Sequence, residues 1–174
     1  GIDAWWQDAT EPENDDLSGR FVNNGTTLGE VFRNTYPLLV NKTVYEGCRR
    51  ANPMQRTMIL TRCSYTGIQR YSIANWSGDV GNDWDTFKRQ VTAGLGLMAA
   101  GIPWWTYDAG GFFRPGNQYS DSLYHERFMR WMQTSVFLPL MRVHGYMSNT
   151  EFWNYGQKVS DNARLCLEMR YKLM

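Results

Sequence analysis

The chain has few cysteines, no excess of charge of either sign and no long apolar run. Its three cysteines, Cys48, Cys63 and Cys166, are odd in number and widely spaced, which argues against a disulfide framework and against a zinc site. The net charge of +1 gives no electrostatic reason to bind nucleic acid or an anionic membrane. No apolar stretch reaches the roughly 18 residues that a membrane span requires. We therefore expect no nucleic-acid partner and no membrane partner.

Aromatic residues are abundant instead, with 8 Trp, 10 Tyr and 8 Phe among 174 residues. A hydrophobic content of 43% and a charged content of 20% are typical of a globular domain with a substantial core. Most rings are expected in that core, including Trp104, Trp105, Trp131 and Trp153. Several tryptophans, however, stand beside carboxylates at the ends of apolar segments. That placement suits a sugar-binding cleft, in which rings cover the apolar faces of sugars and carboxylates bind hydroxyls.

Short apolar segments that end at a polar residue predict parallel strands. The predicted strands are 2–7, 58–63, 72–76, 102–107 and, more weakly, 138–143. The polar residues at or just after their ends are Asp8, Arg62, Asp79, Asp108 and His144. Residues 14–27, which are rich in Asp, Asn and Gly, predict a loop.

Helical periodicity and capping residues predict the helices between these strands. The predicted helices are 28–51, 83–100, 121–137 and 160–174. Thr27 with Glu30 predicts a capping box, and Asp83 predicts the cap of the next helix. Small residues at 93–100 predict close packing on a sheet. The residues predicted to face inward from helix 121–137 are Leu123, Phe128, Trp131, Met132 and Val136.

The alternation of strands and helices predicts a parallel sheet covered by helices, as in a βα barrel. In such a barrel the carboxyl ends of the strands meet at one face, where catalysis takes place. A complete eight-stranded barrel takes about 250 residues, whereas only five strands are predicted here. The fold class predicted is therefore α/β, a partial TIM barrel whose domain spans residues 1–174.

Two carboxylates at predicted strand ends, Asp8 and Asp79, suit glycoside hydrolysis. A retaining glycosidase uses one carboxylate as nucleophile and the other as acid and then base, about 5–5.5 Å apart, and an inverting enzyme holds them further apart. The sequence does not fix that separation. An aspartate at a strand end is also commonly a cap or an ion-pair partner, so these two residues alone leave the function open.

Several ordered motifs resemble glycoside hydrolase family 31, the α-glucosidase and α-xylosidase family. Trp6 to Glu11 matches the family's nucleophile motif, Trp-x-Asp-x-x-Glu. The other matching segments, in the family's order, are 61–62, 67–71, 75–79, 108–112, 130–133 and 139–145. Because these segments extend over nearly the whole chain, the resemblance is highly specific. It implies that the chain is the C-terminal half of the catalytic barrel, approximately strands four to eight, and that a first barrel half and a β-sandwich belong to the same protein.

The resemblance also implies roles for individual residues. Asp8 would be the nucleophile, and Asp79 would protonate the leaving oxygen and then deprotonate water. Arg62 would hold sugar hydroxyls and favour ionisation of nearby carboxylates, whereas Asp108 would either bind a hydroxyl or orient Arg62. Glu11 and Glu13 would either orient neighbouring groups or be solvated. The residues implied to bind the sugar are Trp6, Arg62, Trp76, Asp108, Phe112 and His144.

Trp5-Trp6 and the Glu11-Pro12-Glu13 ending look more like the α-xylosidase branch than the digestive α-glucosidases. The substrate expected is an α-xylosyl linkage, as on xyloglucan oligosaccharides, and the alternatives are α-glucosidase, α-galactosidase or transglycosylase activity, or a non-catalytic sugar-binding protein. No cofactor or metal is expected, because the mechanism needs only carboxylates and no cluster of metal ligands stands out in the sequence. The compartment stays open, with the periplasm or secretion as the working expectation.

Residues 1–174 on their own are expected neither to fold stably nor to hydrolyse sugars, because a partial barrel leaves strand edges unpaired. A thermal melt of the purified fragment, followed by circular dichroism, should show no cooperative transition, and an aryl α-glycoside should not be turned over. A cooperative melt together with turnover would contradict this expectation.

Overall fold

The computed structural model describes residues 2–12 and 17–174. Residue 1 and residues 13–16 lie outside that range, so Glu13 and the start of the predicted loop at 14–27 are not described. The chain divides into two compact units, Gly1–Trp76 and Ser77–Met174. Among the helices of the described residues, none has the length and apolar character that crossing a membrane demands.

The first unit contains a three-stranded parallel arrangement and one long helix. Its elements in chain order are β1 (Trp5–Gln7), β2 (Phe21–Val22), β3 (Thr27–Leu28), α1 (Gly29–Phe32), a 3₁₀ turn (Arg33–Thr35), α2 (Tyr36–Ala51), β4 (Ile59–Thr61), a 3₁₀ turn (Ile68–Tyr71) and β5 (Ile73–Trp76). Strand β4 lies between β1 and β5 and is parallel to both. The register pairs Gln7 with Thr61 and Thr61 with Asn75, so the carboxyl ends of the strands are level. The three strands predicted in this unit are thus confirmed.

The helix predicted at 28–51 is correct in position but is interrupted by the 3₁₀ turn before α2. Pro37 lies in the first turn of α2, where its missing N–H costs no helical hydrogen bond, and it therefore marks a new helix start. The capping box is wrong. Thr27 belongs to β3, which forms a small antiparallel pair with β2 inside the predicted loop. Glu30 instead accepts a hydrogen bond from the backbone N–H of Gly19 at 3.1 Å.

Buried polar side chains join α2 to the parallel strands. The Nδ2 of Asn41 donates to the carbonyl of Pro37 at 2.8 Å and to the hydroxyl of Thr61 at 3.3 Å. The Thr61 hydroxyl lies 2.9 Å from that of Thr10, and Asn75 Nδ2 donates to the Thr61 carbonyl at 3.0 Å. Because buried polar groups are costly unless hydrogen-bonded, this network fixes the strand ends in one arrangement.

The second unit is mainly helical. Its elements are α3 (Trp84–Ala99), β6 (Trp105–Thr106), α4 (Ser122–Ser135), a 3₁₀ turn (Phe152–Tyr155) and α5 (Gln157–Leu173). The prediction of α3 and its cap is confirmed, because the Asp83 carboxylate accepts from the backbone N–H of Thr86 at 2.8 Å. The last helix begins at Gln157, three residues before its predicted start.

The strand predicted at 138–143 is wrong, because these residues form no regular secondary structure. Pro139 has no N–H to give to a strand ladder. The carbonyls of Leu138 and Pro139 instead accept hydrogen bonds from the Arg170 guanidinium on α5, at 2.7 and 3.1 Å. The Arg170 side chain thus binds carbonyls that a neighbouring strand would bind in a sheet.

The core of the second unit is built around aromatic rings from β6 and α4. The Tyr107 ring meets Trp105 edge-on at 5.5 Å and Trp131 edge-on at 4.8 Å, and its hydroxyl donates to the Trp131 carbonyl at 3.0 Å. Trp105 and Trp131 are buried as predicted, but Trp104 and Trp153 are exposed, so the prediction was wrong for that second pair. Of the residues predicted to face inward from helix 121–137, Leu123 is exposed and the others are buried.

Gly94 on α3 lets the helix approach the Trp105 ring. A Cβ at Gly94 would overlap that ring, whereas a Cβ at Gly96 would have no atom within 4 Å. We expect Gly94→Ala to destabilise the full-length protein by about 1–3 kcal/mol, because the added methyl group overpacks the contact. The matched control, Gly96→Ala, should be neutral or stabilising by up to about 1 kcal/mol, because alanine favours the helix.

Denaturant unfolding of the two variants measures this difference. Equal stability of Gly94→Ala and Gly96→Ala would show that α3 does not rest on the Trp105 ring.

Candidate active site

A guanidinium group joins two carboxylates at the carboxyl ends of β1 and β4. Asp8 directly follows β1 and Arg62 directly follows β4, so the register of these strands brings the two side chains side by side. Arg62 Nη1 lies 3.1 Å from Asp8 Oδ1. Its Nε and Nη2 donate to the two carboxylate oxygens of Glu11 at 2.7 and 3.0 Å. Arg62 therefore makes a bidentate pair with Glu11 and a single contact with Asp8.

The environments of these charges differ. The Arg62 side chain is only 9% exposed, whereas that of Asp8 is 42% exposed and can meet a ligand from solvent. Burial tends to raise the pKa of Glu11, but the hydrogen bonds and charge of Arg62 outweigh it, so this pKa lies below its ordinary value. Of the two roles left open for Glu11, the structure gives the orienting one, because Glu11 holds the arginine that contacts Asp8.

Two of the predicted sugar-binding rings stack on each other in the first unit. The Trp6 and Trp76 ring centroids are 5.7 Å apart and the rings are inclined by 29°. Trp6 is 54% exposed, whereas Trp76 is 3% exposed. Trp6 thus presents a ring to solvent beside Asp8, and Trp76 supports it from beneath.

The second unit holds the remaining predicted residues on loops that share backbone hydrogen bonds. These residues are Asp79, Asp108, Phe112 and His144. The N–H of Phe112 donates to the carbonyl of Val80 at 2.9 Å, and the N–H of Tyr146 donates to the carbonyl of Phe112 at 2.9 Å. Gly111, at φ +81°, lies so close to the backbone of Gly81 that a side chain would not fit. The loops that carry these four residues are thereby fixed against one another.

Asp108 is a fully buried carboxylate. Its Oδ1 lies 2.8 Å from Arg142 Nε, and its Oδ2 has no hydrogen-bond donor in the part of the chain that the structure describes. Burial raises the pKa of Asp108 to about 6, with the charge of Asp79 adding to the rise and that of Arg142 opposing it. Oδ2 is therefore a buried acceptor whose hydrogen-bonding capacity the described residues leave unused.

The rings of Phe112 and His144 contact each other. Their ring centroids are 5.6 Å apart with an inclination of 35°. His144 and Asp79 are both exposed, and Phe112 is half-buried. The structure thus places the implied residues in two groups, with Asp8, Arg62, Trp6 and Trp76 in the first unit and Asp79, Asp108, Phe112 and His144 in the second.

Sequence reasoning missed Arg114, which ties the loops of the second group together. Its Nη2 donates to the carbonyls of Ala109 and His144, both at 2.9 Å, and its Nη1 donates to the Tyr155 hydroxyl at 2.7 Å. The guanidinium carbon also lies 5.5 Å from the centre of the Phe128 ring. In the sequence, the only signal was an arginine beside proline and glycine just after the 108–112 motif, which resembles any solvated loop arginine.

Comparison with known proteins identifies the family of the chain. The model of the family described as glycosyl hydrolases family 31 TIM-barrel domain matches residues 1–174. The chain belongs to glycoside hydrolase family 31. The predicted fold class, an α/β part of a TIM barrel, is confirmed by this match and by similar solved structures.

Named relatives include xylosidases and a glucosidase. The chain is 43% identical over 180 residues to an α-xylosidase of Saccharolobus solfataricus, covering 100% of this chain and 24% of the relative. It is 41% identical over 148 residues to an uncharacterised family 31 glucosidase of Pseudescherichia vulneris, covering 84% and 27%. The crystal structure of an α-xylosidase from a soil metagenome, complexed with xylose, superposes with a TM-score of 0.89 at 32% identity, covering 99% and 28%. The chain thus spans about a quarter of the length of these relatives.

Arg114 is expected to be a positioning residue, and Arg170 offers a matched control. Both guanidinium groups bind backbone carbonyls, but Arg170 binds those of residues 135–139, away from the candidate residues. In the full-length protein, Arg114→Ala should lower kcat/KM for an aryl α-glycoside by about 100-fold, because small displacements of binding groups are costly. Arg170→Ala should lower the melting temperature and leave kcat/KM within about twofold, since it contacts no candidate residue.

Kinetics measured well below the melting temperature of each variant separate these effects. Equal losses of kcat/KM in the two variants would reduce Arg114 to a purely structural residue.

Proposed function

We propose that the protein carrying this chain is a retaining α-glycosidase that removes terminal non-reducing α-linked sugars by double displacement. The observation that carries the proposal is the half-exposed Asp8 at a strand end, held beside the buried Arg62, which also pairs with Glu11. A nucleophilic carboxylate must be fixed in place, and the charged guanidinium of Arg62, 3.1 Å from Asp8 Oδ1, supports that requirement. Membership of family 31 adds to this support.

The proposed reaction has two steps. In the first, an Asp8 oxygen attacks the anomeric carbon, the glycosidic bond breaks, and Asp79 gives its proton to the leaving oxygen. In the second, Asp79 takes a proton from water, the water oxygen attacks the same carbon, and the ester to Asp8 breaks. Two inversions give net retention. The exposure of Asp79 is compatible with its exchanging protons with a leaving group and with water.

The remaining residues are proposed to hold the sugar. Asp108 Oδ2 is proposed to accept a hydroxyl hydrogen, and Arg62 to donate to a hydroxyl. Trp6 is proposed to cover an apolar sugar face, supported by Trp76. Phe112 and His144 are proposed to line the same sugar. A buried polar group without a hydrogen-bond partner favours a ligand with matching hydroxyls, and Asp108 Oδ2 has no such partner among residues 2–12 and 17–174.

The substrate proposed is an α-xyloside of the xyloglucan-oligosaccharide type. The doubled Trp5-Trp6 supports it, as does the similarity to relatives named α-xylosidase. α-Glucosidase activity is the second candidate, favoured by the relative named glucosidase. α-Galactosidase or transglycosylase activity would use the same constellation, since the glycosyl-enzyme can pass to sugar instead of water. Retention of both Asp8 and Asp79 argues against a non-catalytic sugar-binding protein.

We also propose that residues 1–174 form the C-terminal half of the barrel, approximately strands four to eight. The first half of the barrel and a β-sandwich would then come from the rest of the protein. The share of about a quarter that the chain covers in its relatives supports this division.

Covalent trapping tests the assignment of the nucleophile. Incubation of the full-length protein with a 5-fluoro-α-glycosyl fluoride should add one glycosyl unit to Asp8, because this reagent forms the ester faster than water removes it. Intact mass and peptide mapping measure the label. Asp8→Asn should take no label, and Asp79→Asn should lose about 10²–10⁴-fold in turnover of substrates with poor leaving groups.

A label on a residue other than Asp8 would contradict the assignment. The same protein, assayed on aryl α-xylosides, α-glucosides and α-galactosides, should prefer the xyloside, and preference for the glucoside would favour the second candidate.

A further inference from the structure

A buried threonine lies between the two carboxylates that contact Arg62. Thr10 follows Asp8 by two residues and directly precedes Glu11, and it is only 4% exposed. The side chains of Asp8 and Glu11 are 42% and 32% exposed. The segment after β1 therefore buries one hydroxyl group between two partly exposed carboxylates.

The Thr10 hydroxyl bonds to the residues on both sides of Arg62. Its Oγ1 lies 2.9 Å from Oγ1 of Thr61 and accepts from the backbone N–H of Cys63 at 3.2 Å. The Thr61 hydroxyl is in turn held by Asn41 of α2, whose Nδ2 donates to it at 3.3 Å. Thr10 therefore attaches its own segment to the strand end that carries the arginine.

The backbone at Ala9 needs to be held in place. Ala9 has φ +55°, in the left-handed region that alanine avoids because its Cβ comes too close to the following carbonyl oxygen. Such a conformation persists only where the surrounding structure enforces it. The Ala9 N–H donates to Asp8 Oδ1 at 3.0 Å, and the same oxygen contacts Arg62. A shift of Ala9 towards an ordinary conformation would therefore move the Asp8 carboxylate.

The contacts of Arg62 change during the proposed reaction, whereas those of Thr10 do not. Arg62 is proposed to donate to a sugar hydroxyl, and an ester of Asp8 carries no charge for the guanidinium to pair with. The hydrogen bonds of Thr10 involve no group that is proposed to touch the sugar. They are therefore able to hold the segment in one place in the free protein and in the glycosyl-enzyme.

From these observations we infer that Thr10 is a positioning residue, which fixes the Asp8 carboxylate for attack on the anomeric carbon through its hydrogen bonds on either side of Arg62. The inference rests on the proposed glycosidase function and extends it to a residue that touches no substrate. The rate of ester formation therefore depends on a buried hydroxyl group as well as on the charge of Arg62.

The trapping reagent measures this role, because its reaction with Asp8 is the formation of the ester. In the full-length protein, labelling is followed by intact mass at increasing concentrations of the 5-fluoro-α-glycosyl fluoride. Thr10→Val keeps the shape of the side chain but removes the hydroxyl group. It should lower the limiting rate of labelling about 10- to 100-fold, because small displacements of reacting groups are costly. The concentration that gives half of the limiting rate should stay near its original value, because Thr10 is not proposed to contact the sugar.

Two further variants and one control accompany this change. Thr10→Ser keeps a hydroxyl group and should restore most of the labelling rate. Thr10→Ala removes the hydroxyl group without placing a methyl group against the Cys63 N–H, and it should be as slow as Thr10→Val. The matched control is Ser135→Ala in the second unit, which also removes a buried hydroxyl group, one that donates to the Trp131 carbonyl at 2.7 Å. It should leave the limiting rate unchanged.

The final extent of labelling separates positioning from stability. A positioning role leaves every folded molecule able to react, so the label reaches one glycosyl unit per protein slowly. A purely structural role would lower the fraction of molecules that take the label and leave the limiting rate unchanged, and that result would overturn the inference. An unchanged rate and extent in both Thr10→Val and Thr10→Ala would overturn it as well.

Failure of the proposed function has a different signature. If the unaltered protein takes no label at Asp8, the assignment of the nucleophile fails and the role of Thr10 fails with it. If the unaltered protein is labelled at Asp8 and the variants at Thr10 react equally fast, only the role of Thr10 fails.

Discussion

The charge of a buried arginine constrains the first unit. Arg62 cannot deprotonate and is almost fully covered, so carboxylates must stand beside it. Asp8 and Glu11 meet that need from the segment after β1, while the network around Thr61 fixes the strand beneath. The ion pairs that compensate the buried charge of Arg62 thus also hold Asp8, the candidate nucleophile, in place. Removal of Arg62 would take the shared cation away from both Asp8 and Glu11, so the ion pairs and the candidate chemistry depend on each other.

The second unit uses the same chemistry without a complete sheet. Arg142 meets Asp108, Arg114 joins the carbonyls of Ala109 and His144, and Arg170 takes the carbonyls at Leu138 and Pro139. The planar guanidinium group can donate to several carbonyls at fixed angles. In a complete sheet, the backbone N–H groups of a neighbouring strand would bind those carbonyls. The loops are therefore held by side chains from distant parts of the chain.

Features governed by neighbouring residues could be predicted from the sequence. The strands before Asp8 and Arg62 and the Asp83 cap follow from apolar runs and local hydrogen bonding, and the structure confirms them. The strand at 138–143 could not be excluded, because the arginine that replaces its ladder lies about thirty residues away. Arg114 was missed for the same reason: its partners become visible only when the loops are assembled. The order of the motifs indicated the family. The structure was needed to show which groups the charged side chains bind.

The buried asparagines of α2 and β5 have a consequence for production of the protein. Asn41 and Asn75 each begin an Asn-X-Ser/Thr triplet, as does Asn24, yet the first two are fully buried and hydrogen-bonded. A glycan on either would have to be attached before folding and would then keep α2 or β5 out of place. Asn24 lies exposed between β2 and β3 and can carry one. In a eukaryotic secretory host, glycosylation of Asn41 and Asn75 would therefore compete with folding. The time between synthesis and burial of these two side chains would set the yield of native protein.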